Sequence, residues 1–168
     1  MDIAADSHTQ DTAGGARAAL GLLGWVALSY AAALGGIFAG PGDWYDSLRK
    51  PAFNPPGWVF GPVWTLLYAM MGTSAWLVWR RGGFKHAGTA LGLFILQLVL
   101  NAAWTPLFFG LKAPGVALVV IIALWLAILA TAIAFMGRSR LAALLLLPYL
   151  LWVSYATLLN GSLWYLNS

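Results

Sequence analysis

Ten tryptophans in a chain of 168 residues are the side chains best equipped to do chemistry here, and several stand inside apolar runs, away from the run ends. An indole offers a wide π face for stacking and an N–H that wants an acceptor once it is buried. Trp64 and Trp104 lie about two turns inside their runs, and Trp125 and Trp152 lie near the middle of theirs. Trp58, Trp79 and Trp164 lie near run ends, where membrane proteins keep Trp as interfacial anchors. A cluster of buried indoles makes a flat, polarizable wall suited to a large planar or polycyclic ligand. The ionisable groups are placed in the opposite way. The acidic residues are Asp2, Asp6, Asp11, Asp43 and Asp46, all outside the long apolar runs, and no run interior carries Asp, Glu, His, Lys or Arg. Ion-coupled transporters and proton pumps place such groups at membrane depth, so neither activity is expected. His8 and His86 read as surface histidines and leave no haem ligand inside a span. Cysteine is absent, which excludes disulfides, Cys-ligated metals and thiol nucleophiles. A Ser-His-Asp or metal-hydrolase site within the bilayer is unsupported, and no metal or resident cofactor is expected.

Composition names the kind of element that must hold these residues. Hydrophobic residues make up 61% of the chain and charged ones 8%, with a mean hydropathy of +0.80. These values fall outside the range of soluble globular domains. The net charge of +4 comes from basic residues scattered between apolar runs, as in membrane loops, and does not indicate nucleic acid. Residues 1–16 are polar and lack an apolar run, so they are expected to be a disordered tail and not a signal peptide. Apolar stretches follow at roughly 17–39, 57–79, 87–109, 115–136 and 141–165. Each reaches the ~20 residues that cross a hydrocarbon core of roughly 30 Å. Backbone groups in lipid must be satisfied within their own segment. The expectation is therefore an all-α membrane protein, one domain over 17–168 built as a bundle of five transmembrane helices. The longest connection, 40–56, ends in Pro55 and Pro56 just before the second span, where a missing N–H costs least. Six basic residues (Arg17, Arg80, Arg81, Lys85, Arg138, Arg140) stand on one side and three (Arg49, Lys50, Lys112) on the other. In a bacterial cell membrane that bias puts the N-terminus in the cytoplasm and the C-terminus outside.

Helical periodicity gathers the unusual residues onto faces. Gln97, Asn101, Trp104 and Phe108 form one stripe on the third span, with Thr105 on its edge. The second span presents Phe60, Trp64, Tyr68 and Met71, and the fifth Tyr149, Trp152, Ala156 and Asn160. The first offers Trp25, Ser29, Ala32 and Gly36, a face that becomes small toward its C-terminal end. Such stripes serve either of two ends: gluing helices through interhelical hydrogen bonds, or lining an apolar pocket with a few convergent polar groups. Trp125 has no polar companion one turn away and reads as packing. Gly88 and Gly92 form a G-x-x-x-G pair on the far side of the third span, either a seam between two copies or a close contact within one.

Three runs form a recognisable set. They are Trp44-Tyr45 followed by Lys50-Pro51-Ala52-Phe53-Asn54-Pro55-Pro56-Gly57-Trp58-Val59-Phe60 and Trp64-Thr65-Leu66-Leu67-Tyr68; Asn101-Ala102-Ala103-Trp104-Thr105-Pro106-Leu107-Phe108-Phe109; and Pro148-Tyr149-Leu150-Leu151-Trp152. Over roughly residues 20–166 the chain resembles the tryptophan-rich sensory protein/translocator protein (TspO/MBR) family. The resemblance implies a five-helix membrane bundle, commonly a homodimer, that binds porphyrins such as protoporphyrin IX; some members bind cholesterol or synthetic benzodiazepine- and isoquinoline-type ligands. It implies a pocket between the helices with Tyr45 and Pro55 in a covering loop and Trp64, Tyr68, Asn101, Trp104, Trp152 and Ala156 in the walls. Thr105, Phe108 and Tyr149 join them as ligand-binding candidates from the helical faces. Arg49 and Lys50 could meet porphyrin propionates or stand as solvated loop cations.

The function this implies is porphyrin binding with a sensory or regulatory role in tetrapyrrole handling. One rival is an enzyme of light- and oxygen-dependent porphyrin breakdown, with Trp64 and Trp152 as the oxidisable groups. Another is a porphyrin transporter or transport accessory, which the lack of a coupling carboxylate disfavours. The cholesterol motif proposed for animal members needs a basic residue after a Tyr near the end of the fifth span, and no Lys or Arg follows Arg140. A sterol role is therefore in doubt.

Overall fold

The structure, a computed structural model, describes residues 3–168, with side chains described from Gly15 onward except at 37–38. Helices and short connections make up the described chain. Helix α1 runs Ile3–Ala31 and is followed by the short α2, Leu34–Phe38. Its first residues fall in the expected tail of 1–16, where the backbone is already helical; Ala4, Ala5 and Ala13 favour that state. The remainder of that expectation, Met1 and Asp2 and the side chains before Gly15, lies outside the described residues. The first loop carries α3, Asp43–Ser47, and a single tight turn, Gly57–Val59, leads into α4, Phe60–Trp79. Then come α5, Gly83–Thr105, α6, Pro114–Met136, α7, Arg140–Leu145, and α8, Leu147–Asn167.

Three of the expected continuous spans are interrupted, the first by the turn at Ala32–Ala33 between α1 and α2 and two others at a proline. Pro106 has no N–H to return to the Ala102 carbonyl, and α5 gives way there to a wider turn over Pro106–Gly110, closed by Leu111 N–H donating to the Pro106 carbonyl at 2.8 Å. The last span divides into α7 and α8 because Pro148 sits in the first turn of α8. Both proline breaks lie beside site residues and set their direction.

Four helical segments are long and apolar enough to cross a membrane: Gly15–Gly36, Gly83–Gly110, Pro114–Met136 and Arg140–Asn167. The expectation of five is thus met by four on length and composition. The remaining one, α4, has 20 residues. Its Trp64, Tyr68, Trp76 and Trp79, with Pro62, Thr65, Thr73 and Ser74, lower its mean hydropathy. It is nonetheless central, packing on α1, α5 and α7, while α6 packs on α5, α7 and α8. A Cβ at Gly72 would stand 2.5 Å from Val26 Cα, so only glycine lets α4 lie this close against α1. The core between them includes Trp25, Met71, Ala75, Phe94, Ile128 and Phe135. Leu23, Leu66, Val119, Ile133 and Leu151 face outward, as lipid-facing residues of a membrane bundle do.

Hydrogen bonds tie the connections together at each end. At one, Trp76 Nε1 donates to the Ala18 carbonyl at 2.9 Å, and the Arg81 guanidinium donates to the Arg138 carbonyl. At the other, Asn160 Nδ2 donates to the Pro114 carbonyl at 2.8 Å, and Asn167 Nδ2 donates to the Arg49 carbonyl at 3.0 Å.

Candidate ligand site between the helices

The faces expected to converge do so around Asn101. The Tyr68 hydroxyl, from α4, donates to Asn101 Oδ1 at 2.8 Å, and Asn101 Nδ2 donates to the Tyr149 hydroxyl, from α8, at 3.0 Å. All three side chains are buried. A buried amide or phenol is costly unless paired, so this cluster links three helices through groups that need one another. Trp64 stacks on Tyr68 with centroids 5.2 Å apart and planes at 27°, and meets Tyr149 edge-on at 6.1 Å. Trp152 meets Phe60 edge-on at 5.8 Å and leans on Tyr155 at 5.5 Å. Ala156 is half-buried and packs on the same core. The faces of Trp64 and Trp152, expected to be offered to a macrocycle, here engage rings of the protein in the offset and edge geometries that aromatic pairs prefer. A cleft of about 400 Å³ opens outward between α4 and α8, lined by Val63, Leu66, Leu67, Pro148, Leu151, Trp152 and Tyr155. Trp152 is therefore both the floor of that cleft and a wall of the interior.

A second aromatic layer lies toward the first loop. Trp104 stacks on Phe108 at 5.1 Å, and its Nε1 donates to Asn160 Oδ1 at 3.0 Å. Phe108 in turn meets Trp44 at 5.8 Å and Tyr45 at 6.4 Å. The wide turn after Thr105 carries Phe108 and Phe109 into this layer. Thr105 itself borders α2: its γ-methyl lies 3.7 Å from where a Cβ on Gly36 would stand.

The loop lies over this layer and is held at several points. The Tyr45 hydroxyl donates to Asn54 Oδ1 at 2.8 Å, and Asn54 Nδ2 donates to the Pro55 carbonyl at 3.2 Å, fixing both expected lid residues. Burial pushes the Tyr45 phenol above its ordinary pKa, against the lowering effect of Asn54, so Tyr45 remains a hydroxyl donor. From α8, the Tyr155 hydroxyl donates to the Phe53 carbonyl at 2.7 Å. Asn167 brackets Arg49, accepting from its N–H at 2.9 Å and donating to its carbonyl at 3.0 Å. Lys50 Nζ lies 4.0 Å from the Asp46 carboxylate and 4.9 Å from the Tyr45 ring centre, engaged within the loop.

The TspO/MBR family matches residues 23–166. The "Tryptophan-rich protein TspO" of Chlorobaculum tepidum is 46% identical over 129 residues, 76% of this chain and 82% of that one. The "Translocator protein" of Homo sapiens is 48% identical over 123 residues, 72% and 73% of the two chains. "Protein CrtK" of Rhodobacter capsulatus is 41% identical over 145 residues, 85% and 89%. The chain belongs to the TspO/MBR family. It is an all-helical TspO/MBR membrane protein, and its three motif runs supply the Asn101 cluster, the Trp104 layer and the loop.

Several residues of this TspO/MBR site were not among the expected ones. Tyr30 of α1 packs on Tyr68 at 5.6 Å and donates to the Thr65 carbonyl, although it lies one residue off the predicted inward face. Tyr155 and Asn54 act through backbone and loop contacts that helical spacing does not reveal. Asn160 stood on the expected fifth-span face, and its partner Trp104 lies across the bundle on α5. Trp125, expected to pack without a polar companion, donates from Nε1 to Ser154 Oγ at 2.7 Å. The acceptor stands on α8, so the absence of a polar companion one turn away on α6 still holds and the bond joins two packed helices.

Proposed function

We propose that this protein binds a tetrapyrrole of the protoporphyrin IX class between its helices, beneath the 40–56 loop, and serves a sensory or regulatory role in tetrapyrrole handling. The observation that carries the reading is the buried Asn101 amide bonded to Tyr68 and Tyr149 with Trp64 against both, flanked in the same core by Trp104 and Trp152, with a loop fixed over the Trp104 layer. Stacked indoles suit the faces of a planar macrocycle, and Asn101 offers one amide able to donate to or accept from its edge. Binding requires Trp64 and Trp152 to exchange protein rings for ligand. The cleft beside Trp152 gives that ring an open side. The name "Tryptophan-rich sensory protein" carried by a relative agrees with a sensory role, and "Translocator protein" agrees with the transport alternative.

The same reading takes the chain as five crossings of a bacterial cell membrane, N-terminus in the cytoplasm, assembled as a homodimer. Pairing of Ala18, Arg81 and Arg138 segments at one end, and of Arg49, Pro114 and Asn167 segments at the other, supports an odd number of crossings. Titration of purified protein with protoporphyrin IX, in light and in dark, tests the function. Quenched tryptophan emission with an unchanged porphyrin spectrum is the expected result. New absorbance bands appearing only in light would replace binding with porphyrin breakdown, and no quenching would remove the proposal.

A further inference from the structure

Buried polar side chains in this bundle are almost all paired. Ser29 and Thr131 donate to carbonyls one turn back, Ser74 reaches the Ala142 carbonyl, Ser139 caps α7, and Asn101 and Asn160 bridge helices. Gln97 is the exception: it is fully buried, and neither Nε2 nor Oε1 has a hydrogen-bond partner among the described residues. An amide dry at both ends is costly at membrane depth, where no bulk water can substitute. Leu or Met at this position would avoid the cost. Gln97 lies one turn before Asn101 on the same face of α5, the face from which Asn101 bonds Tyr68 and Tyr149.

That cluster carries a surplus donor of its own. With Asn101 Oδ1 toward Tyr68, Nδ2 donates to Tyr149, whose own proton has no acceptor within the three residues. Turning the amide round leaves the Tyr68 proton in the same position. Gln97 adds two N–H groups and a carbonyl oxygen with two lone pairs, none of them engaged among the described residues. Its N–H groups and the free phenol proton would be met by a guest that brings an acceptor oxygen. No Lys, Arg or His lies within α4, α5 from Ala87 onward, or α8, so nothing there neutralises a full charge. An uncharged oxygen, in a carbonyl or a carboxyl group, fits best.

The geometry points to Gln97 as the inner polar contact of the ligand site, donating from Nε2 to the carbonyl oxygen of a ligand's carboxyl or ester group. This rests on the porphyrin-binding reading and adds which part of the ligand α5 recognises. The test uses the full chain and three porphyrins: protoporphyrin IX, its dimethyl ester, which keeps the carbonyl oxygens, and octaethylporphyrin, which has no oxygen. Gln97→Met keeps length and shape, and Gln97→Leu is a second variant; both are checked for folding by thermal melting. The expected result is about tenfold weaker binding of the acid and the ester, one hydrogen bond's worth, with octaethylporphyrin unchanged. A loss confined to the free acid also supports the contact and narrows the group to the carboxyl. Equal loss for all three, unchanged binding in a folded variant, or failure of both variants to fold makes Gln97 a structural residue and overturns the assignment. If the unsubstituted protein binds none of the three, the porphyrin reading itself fails before any substitution is compared, and this inference falls with it.

Discussion

At the scale of single residues, the cluster works because each polar group is completed by a neighbour on another helix. Asn101 joins two tyrosines, and Trp104 finds Asn160 across the bundle. Trp152 and Ala156 test the wall they form together. Ala156→Phe fills half-buried space one turn after Trp152; if that space is ligand space, porphyrin affinity falls while the melting temperature holds. If it is packed core, overpacking costs about 1–3 kcal/mol whatever the ligand, and a lowered melting temperature with retained affinity would show that. Trp152→Phe keeps a ring but shortens the stacking surface, and weaker porphyrin binding is expected in a titration. Trp125→Phe makes the contrast. It strips Ser154 of its indole partner, so stability drops by about 1 kcal/mol and affinity stays. Spacing alone placed Tyr68, Asn101, Tyr149 and Trp152 on inward faces, because a 3.6-residue period is written in the order of residues. Which side chain completes which is not, because Trp104 and Asn160 stand 56 positions apart and their pairing exists only once helices pack.

At the scale of elements, prolines and glycines decide the geometry. Pro106 and Pro148 were visible as residues, yet the spans containing them read as continuous, because hydropathy carries no sign of a missing N–H. Their breaks aim Phe108 and Tyr149, so part of the site comes from backbone chemistry the apolar pattern conceals. Gly88 and Gly92 were legible as a pair with two readings. A Cβ at either would meet nothing within 4 Å, which excludes close packing inside one protomer and leaves an open face on α5. The proposed homodimer would use this face as its seam, since small residues let backbones approach. Gly88→Leu/Gly92→Leu should convert a dimer to monomer by cross-linking in lipid; a persistent dimer places the seam elsewhere. The loop offers a separate test. Asn167 holds Arg49 by two exposed hydrogen bonds, worth little in stability but able to restrain the loop. Asn167→Ala should speed both porphyrin uptake and release in stopped-flow quenching at a nearly unchanged melting temperature. Unchanged rates would mean the loop does not gate entry.

At the scale of the whole molecule, charge and hydrogen bonding agree on two distinct ends. Arg80, Arg81, Arg138 and Arg140 belong to the end where Arg81 reaches the Arg138 carbonyl, and the Trp76–Ala18 bond brings the chain near Arg17 to it. Arg49, Lys50 and Lys112 belong to the other, where Asn167 holds the loop and Asn160 holds the segment entering α6. In the proposed orientation the basic excess puts the first end in the cytoplasm and the loop and the C-terminus outside, so that the proposed site would open on the far side of the membrane. The chain has no cysteine, so single substitutions give unambiguous labels. Ser168→Cys lies at the loop end, and Gly137→Cys, at an exposed glycine where a side chain would meet nothing within 4 Å, lies at the opposite end. A membrane-impermeant maleimide applied to intact cells should label Ser168→Cys at once and Gly137→Cys only after permeabilisation. The reverse pattern would invert the orientation and move the covering loop to the cytoplasm. Equal labelling of both in intact cells would place both ends on one side, which an odd number of crossings forbids.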